Sequence, residues 1–282
     1  MKEFVFLVEE QFNNAKAVEF LKEKGVSSEI LKKIKVGGIY KNGELLKNVN
    51  ETLNAGDQIK IILPEDQPNV YLVPVKKPFE ILYEDEFLLA VIKEKGITTH
   101  SSKHNQTLSL EQIICGYYKE PFTFRAVNRL DKDTSGIVLI AKDMLTASLL
   151  GEQMKERKII KKYLALCKGV PKSEHFVIEK PILRESENSI KRICHENGEY
   201  AKTECKLLKI LNGDLSLIDI LLITGKTHQI RVHLSEVGLP LYADSLYGEK
   251  VDGESYFLEA YNLIFTHPFT KEKISLTTKN FA

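Results

Sequence analysis

The chain opens on a continuous apolar run, Phe4-Val5-Phe6-Leu7-Val8, which predicts a buried strand. Asn14 then stands where a helix N-cap is expected, Val18, Phe20 and Leu21 share one helical face, and Gly25 closes the turn. A second short helix is expected behind Ser27-Ser28, with Ile30, Leu31 and Ile34 as its buried stripe and Gly37-Gly38 as its stop. Asn42-Gly43 separates two short strand-like runs, and that pair favours a two-residue hairpin because both positions need positive φ. Ala55-Gly56-Asp57 turns into a last strand, Gln58 to Leu63, so residues 1–63 read as a small α+β module.

The pattern then changes. Four of the nine prolines, Pro64, Pro68, Pro74 and Pro78, fall in residues 64–80, and proline both removes amide donors and biases the preceding residue away from helix. This stretch reads as an extended linker. Residues 81–282 form the larger unit. Apolar runs predict strands at Phe87 to Lys93, Ile137 to Lys142, Lys162 to Lys168, Ala201 to Leu211 and Leu215 to Ile223; helical spacing marks Ser109 to Tyr118, Asp143 to Lys158 and Thr227 to Val237. Strands outnumber and outrun the helices, which predicts an α+β domain on a mixed, mostly antiparallel sheet with flanking helices.

Composition adds little until it is divided by segment. The 282 residues are 43% hydrophobic and 28% charged, an ordinary globular balance, and no apolar stretch approaches the roughly 20 residues of a membrane helix. The first ten residues meet acid before any signal-peptide core forms, so residence in the cytoplasm is expected. Cys115, Cys167, Cys194 and Cys205 are scattered without a CxxC pair, which predicts reduced thiols and no zinc site. The net charge is only +1, and taken alone that counts mildly against a polyanionic partner. By segment the sum hides two basic runs: Lys22 to Lys47 carries a local +4, and Lys155 to Lys168 a local +5. One run alone is an ordinary solvated face; two, one on each expected domain, favour an anionic polymer.

The densest polar cluster is Arg125-Ala126-Val127-Asn128-Arg129-Leu130-Asp131-Lys132-Asp133-Thr134-Ser135-Gly136, which feeds directly into an apolar strand. A polar loop at the edge of a rigid sheet can hold a catalytic group both exposed and fixed. Asp131 among cations is suited to remain ionised, as a nucleophile or base must. Taken alone, the same residues also describe a plain turn with local backbone hydrogen bonds.

Read with the rest of the chain, the loop resembles the signature of the RluA-type pseudouridine synthases, His-Arg-Leu-Asp, two residues, Thr-Ser-Gly, with Asn128 in place of the histidine. Val91 to Ile97 resembles the family's Lys-Pro-x-Gly strand with Glu94 for proline, and Lys162-Tyr163-Leu164-Ala165-Leu166 resembles its tyrosine strand. Thr224 to Leu234 nearly reproduces its third motif; Asp244-Ser245-Leu246-Tyr247-Gly248 follows with Ala243 for glycine, and Glu259 stands where histidine is usual. The likeness spans roughly residues 81 to 275. In the first module, Lys32 to Gly43 and Ala55 to Ile59 resemble the small RNA-binding domain first named for a ribosomal small-subunit protein, although the module has no arginine.

The resemblance implies an isomerase that converts uridines of rRNA or tRNA to pseudouridine. It assigns Asp131 as nucleophile, Tyr163 as the ring that stacks on the uracil and can take the proton from carbon 5, and Arg231 as the basic partner that forks onto Asp131. Arg129 would hold the nucleotide out of its helix, and Leu130, Thr134, His228, Gln229 and Leu234 would complete the substrate site. RNA would be gripped by Lys32, Lys33 and Lys35 on the module and by Lys158, Lys161 and Lys162 ahead of Tyr163. No metal or cofactor is needed, since the same atoms are rejoined through a new bond. A monomer without an obligatory protein partner or membrane is expected.

Other motifs fail. Gly225-Lys226-Thr227 lacks the glycine of a phosphate loop five positions earlier, which is Ile220; His228 and His233 have no HExxH context, and Ser135 has no GxSxG elbow. Two other readings remain: an inactive RNA binder on the same fold, against which the intact Asp131, Tyr163 and Arg231 set argues, and a nucleoside or glycoside hydrolase using Asp131 with Asp133.

Overall fold

The computed structural model describes residues 1–64, 71–102, 107–118, 121–211 and 214–279. The first unit comprises β1 (Lys2–Leu7), α1 (Ala17–Glu23), α2 (Ser28–Ile34), β2 (Ile39–Lys41), β3 (Glu44–Leu45) and β4 (Gln58–Leu63), with its four strands antiparallel in the order β1-β4-β2-β3. Phe20, Leu21, Ile34, Ile39, Ile59 and Ile61 are buried between the helices and this sheet. Ser27 caps α2 by accepting the Ile30 amide at 3.3 Å. The hairpin turn has Asn42 at φ 50° and Gly43 at φ 87°; the Asn42 side chain also bonds Asp57 and the Gln58 amide, each at 2.8 Å.

One cap is displaced. Asn14 takes a left-handed conformation (φ 65°) instead of capping α1, and Lys16 is the N-cap, its amide donating to Glu19 Oε2 at 3.4 Å. Asparagine tolerates that backbone region because its short side chain can bond locally, so the residue that looked like a cap is the turn before it.

Of the proline-rich stretch, residues 65–70, Pro68 among them, lie outside the described residues. Residues 71–80 contain neither helix nor strand and run as a strap: the Val75 amide donates to Gln112 O at 2.9 Å and Gln112 Nε2 to Val73 O at 3.2 Å. The approach is close enough to require glycine, since a Cβ on Gly116 would stand 2.3 Å from Val75 O.

The second unit contains β5 (Ile81–Glu84), β6 (Leu88–Lys93), α3 (Leu110–Tyr117), β7 (Ser135–Ala141), α4 (Met144–Lys155), β8 (Ile160–Lys168) and β9 (His175–Glu179). It continues through β10 (Ile182–Arg184), β11 (Arg192–Cys194), β12 (Lys202–Ile210), β13 (Leu215–Leu222), α5 (Gln229–Glu236), β14 (Leu258–Thr266) and β15 (Lys273–Thr277). Nine strands form one sheet in the order β5-β6-β7-β14-β8-β13-β12-β9, with β15 paired to β14; β10 and β11 form a separate ribbon. Every pairing in the large sheet is antiparallel except β7 with β14. It is therefore the expected mixed, mostly antiparallel α+β sheet.

The sheet is two local halves joined by a late strand. β14 pairs with β8 on one side and, through Glu259 opposite Ser135 and Ala260 opposite Gly136, with β7 on the other. Gly136 has φ 116°, and a Cβ there would meet Ala260 O at 2.3 Å, so this junction admits only glycine. The unbroken apolar run of β7 is explained by burial on both faces: Val138 and Ile140 face one core with Ile218 and Ile220, Leu139 and Ala141 the other with Leu263 and Phe265.

The first unit rests on α4. Asp143 caps that helix by accepting the Thr146 amide at 2.8 Å and also takes Lys2 Nζ at 2.9 Å. Leu145 is buried in the first unit's core, Phe4 stacks on Phe269 at 5.4 Å, and Gly25 leaves the space that Leu149 fills.

Candidate active site

A cavity of about 280 Å³ opens where the loop before β7, the start of β8 and the N-terminus of α5 converge. Asp131 lies on its wall with its side chain 28% exposed. The loop that carries it is pinned from several sides. Asn128 is buried and acts as a surrogate strand, donating to Ile137 O and accepting the Leu139 amide, both at 2.9 Å. Thr99 Oγ1 donates to Leu130 O at 2.8 Å, and the Gly96 amide donates to Lys132 O at 2.9 Å.

Lys93, wholly buried at the end of β6, donates to three carbonyls, Ile97 O at 2.8 Å, Glu94 O at 2.9 Å and Lys132 O at 3.1 Å. Burial pulls its ammonium down to about 8 against the opposing fields of Asp133 and Asp131.

Arg231, on α5, donates from Nη1 to Asp131 Oδ2 at 3.3 Å. Its fork is directed elsewhere: Nε meets Asp244 Oδ2 at 2.7 Å and Nη2 meets Asp244 Oδ1 at 2.8 Å. This corrects the expectation of a bidentate pair with Asp131. Asp244 is wholly buried, also accepting the amides of Leu246 and Tyr247, and a buried carboxylate needs the better of the available bonds. The guanidinium lies 4.6 Å from the Tyr256 ring centre and 5.0 Å from that of Tyr247. Burial opposes its charge, yet the hydrogen bonds to Asp244 and the fields of Tyr256, Asp244 and Asp131 outweigh it and raise its affinity for the proton. Arg231 is thus a cation fixed by Asp244 that gives Asp131 a single, longer hydrogen bond from Nη1.

Asp244 is presented by Ala243, whose φ of 60° places an alanine in the left-handed region. The sequence departs from glycine at the one position of that motif where glycine would be relaxed. His228 is similarly strained (φ 58°), forms the N-cap of α5, bonds the Tyr247 hydroxyl through Nδ1 at 2.9 Å, and has Nε2 3.9 Å from Asp131. Burial is the main reason its proton affinity falls below the ordinary histidine value.

Tyr163 is buried at 5% exposure on β8 and lines the same cavity. Burial, and then the charge of Asp131, hold its phenol protonated well beyond the usual range. A neutral ring is suited to stacking, and free phenolate is disfavoured.

The remaining expected residues divide clearly. Arg129, Leu130 and Thr134 line the cavity, with Arg129 exposed. Gln229 lines it too, but its amide is committed to bracing the preceding loop, accepting from Thr224 Oγ1 and the Lys226 amide and donating to Lys202 O and Thr203 Oγ1. Leu234 is not brought to the cavity; it is fully buried in the core, one helical turn beyond the residues that line it. Asp133 is also absent from the cavity wall.

Lys32, Lys33 and Lys35 are exposed around the end of α2, and Lys158 is exposed and paired with Glu156 at 2.7 Å. Lys162 is half-buried, whereas Lys161 is not on the surface as expected but 7% exposed in the cavity wall, because strand alternation turns it toward the Tyr163 side. His233 packs between Thr203 Oγ1 and Lys180 O, both at 2.9 Å, and among the described residues no cluster could hold a metal ion.

Lys93, Asp244, Tyr247 and Tyr256 were not anticipated as site residues. Asp244 and Tyr247 were visible as a motif without an assigned role, and Lys93 only as the lysine of the Lys-Pro-x-Gly likeness. Tyr256 gave no signal.

The family model described as RNA pseudouridylate synthase matches residues 88–236. The RNA pseudouridine synthase YjbO of Bacillus subtilis is 33% identical, with 91% of this chain and 92% of that protein covered. Ribosomal large subunit pseudouridine synthase D of Buchnera aphidicola is 31% identical over 88% of this chain and 84% of that protein. Among solved structures, human RNA pseudouridylate synthase domain containing 1 superposes with a TM-score of 0.60 at 27% identity, covering 71% of this chain and 83% of the other.

Proposed function

The chain belongs to the RNA pseudouridylate synthase family and is an RNA pseudouridine synthase, an isomerase; from that premise we propose that Asp131 is its nucleophile and that its substrate is a uridine in structured ribosomal or transfer RNA. The observation that carries the reading is the partly exposed Asp131 carboxylate held by a single Nη1 hydrogen bond from an arginine that Asp244 locks in place. A single contact of this kind places a cation beside the carboxylate without the bidentate pairing that would occupy both its oxygens.

In this reading the target uridine is turned out of its helix into the cavity, with Arg129 at the mouth filling or bracing the space it leaves. Asp131 forms a covalent bond to the nucleotide, the bond between the ribose and N1 breaks, and the uracil rotates between Tyr163 and the apolar wall of Leu130 and Leu258. A bond from C5 to the ribose then forms, Asp131 is released, and the proton lost from C5 is matched by one gained at N1. Atoms and electrons balance without an oxidant or metal. The protonated phenol of Tyr163 supports its role as a stacking face more than as the base for that proton.

Residues 1–63 act as an RNA-binding module, 64–80 as its connection and 81–282 as the catalytic domain; Lys32, Lys33 and Lys35 provide a grip for phosphate. The names of the relatives make large-subunit ribosomal RNA the first place to look. Among the described residues no helix is long and apolar enough to cross a membrane; a monomer working in the cytoplasm is the reading that suits a ribosomal RNA substrate of the kind its relatives' names give.

Mapping pseudouridines in total RNA from cells with the gene, without it and with only Asp131→Asn tests the assignment. A site lost in the deletion and in the variant is expected; a site still modified by Asp131→Asn would sink the nucleophile. Retained RNA binding by the variant separates lost chemistry from lost folding.

A further inference from the structure

Beside the uridine cavity lies a second groove of about 500 Å³ that the mechanism does not use. Lys155, Arg157, Lys161 and Lys226 line it against a single carboxylate, Glu199, which Lys226 already engages. Met154, Lys161, Gly225 and Lys226 line both spaces, so they form the threshold between them.

Lys161 is the central observation. It is 7% exposed, its ammonium lies beside Gly225, and among the described residues it has no hydrogen-bond or ion-pair partner. Burial without compensation lowers its affinity for the proton. Its ammonium lines both spaces and is placed to meet an anion there. It shares a strand face with Tyr163 two residues on, about 7 Å away, on the scale that separates a base from its own phosphate.

The far wall of the groove is a ledge. Tyr200 is 44% exposed, and the Arg157 guanidinium lies 5.3 Å from its ring centre. Arg157 follows the cap of α4 with φ 58°, where glycine would be relaxed, and so presents its side chain at the expense of backbone strain.

We propose that this groove is a subsite for the nucleotide flanking the target uridine, with the linking phosphate on Lys161 and the flanking base on the Arg157–Tyr200 ledge. A phosphodiester joins the two nucleotides as Lys161 joins the two spaces. Aromatic and guanidinium faces accept any base, so the subsite adds affinity and register while requiring little sequence. The assignment rests on the uridine-isomerase reading of the neighbouring cavity.

The test measures tritium release from [5-³H]uridine-labelled total RNA of the gene-deleted strain, over a series of RNA concentrations and salt. Lys161→Met and Tyr200→Ala are each expected to raise KM by about tenfold, with the larger share of the loss in KM and not in kcat. Lys161→Met should also flatten the dependence of log KM on log salt by roughly 0.7 to 0.9, the contribution of one phosphate contact, and Lys161→Arg should restore most of the affinity. Tyr200→Ala and Arg157→Ala, on exposed side chains, decide the matter if Lys161→Met fails to fold. Wild-type KM and salt dependence in Tyr200→Ala and Lys161→Met would overturn the subsite, as would a loss confined to kcat, which would place Lys161 on the uracil instead. Absence of tritium release by the wild-type enzyme would instead defeat the isomerase reading itself.

Discussion

The two units of this protein obey local rules to different degrees. In the N-terminal unit the described non-glycine residues with positive φ are Asn14 and Asn42, which tolerate it, and the lysines of α2 face outward. In the catalytic unit the corresponding residues are Arg157, His228, Ala243 and Lys271, and Lys93, Lys161, Arg231 and Asp244 are buried. Three of those four strained positions border the uridine cavity, its flanking groove or the Arg231–Asp244 pair. Strained backbone and buried charge thus gather around the cavity that Asp131 lines, while the backbone of the first unit is locally consistent.

The contrast can be broken most severely at Arg231. Arg231→Met should leave Asp244 buried without its partner, costing about 3–5 kcal/mol in urea unfolding and abolishing pseudouridine formation; retained stability would show that the pair is not what holds the α5 side of the site. Lys93 gives a pH-dependent version. Its folded value of about 8 lies below the ordinary 10.5, so between those values the unfolded chain binds more protons and stability rises with pH through this group. The stability difference between wild type and Lys93→Met should therefore widen in favour of wild type as pH goes from 8 toward 10.5, by about 1 kcal/mol per unit in the middle of the window. A constant gap would deny the shift.

Ala243→Gly relaxes one strained position and should stabilise by about 0.5–1 kcal/mol, read as a higher melting temperature. A lower one would mean that alanine's methyl packing outweighs the backbone cost. The smallest effect belongs to the N-terminal unit: replacing Lys32, Lys33 and Lys35 together by alanine should leave folding within about 0.5 kcal/mol of wild type and weaken RNA binding only several-fold at 0.1 M salt, on the order of 1 kcal/mol. Loss of all binding in that variant would make the module the dominant RNA contact and reverse the comparison.

What could be read from the sequence follows the same division. Ser27, Asn42-Gly43 and the β4 alternation act over a few residues and were legible as such. Asp131, Tyr163 and Arg231 were legible through motif order, which preserves identity across a chain even when it gives no geometry. Their arrangement was not: Asp244 captures the fork of Arg231 from thirteen residues away, and no local pattern ranks it above Asp131 as a partner. Lys161 and Lys158 were indistinguishable as members of one basic run, because charge arithmetic does not register which face of a strand a residue takes. β14 went unforeseen because Glu259 and Asn262 interrupt its apolar residues, although it occupies the middle of the sheet.

The place of β14 also orders events in time. β5 to β7 and β8 to β13 each complete their pairings within their own stretch of chain, whereas the strand that fastens the Asp131 half of the sheet to the Tyr163 half comes more than 90 residues after Tyr163. Until residues 258–266 are made, the halves of the sheet that carry Asp131 and Tyr163 lack the strand that joins them. The two walls of the cavity are therefore set in one frame only when β14 is in place.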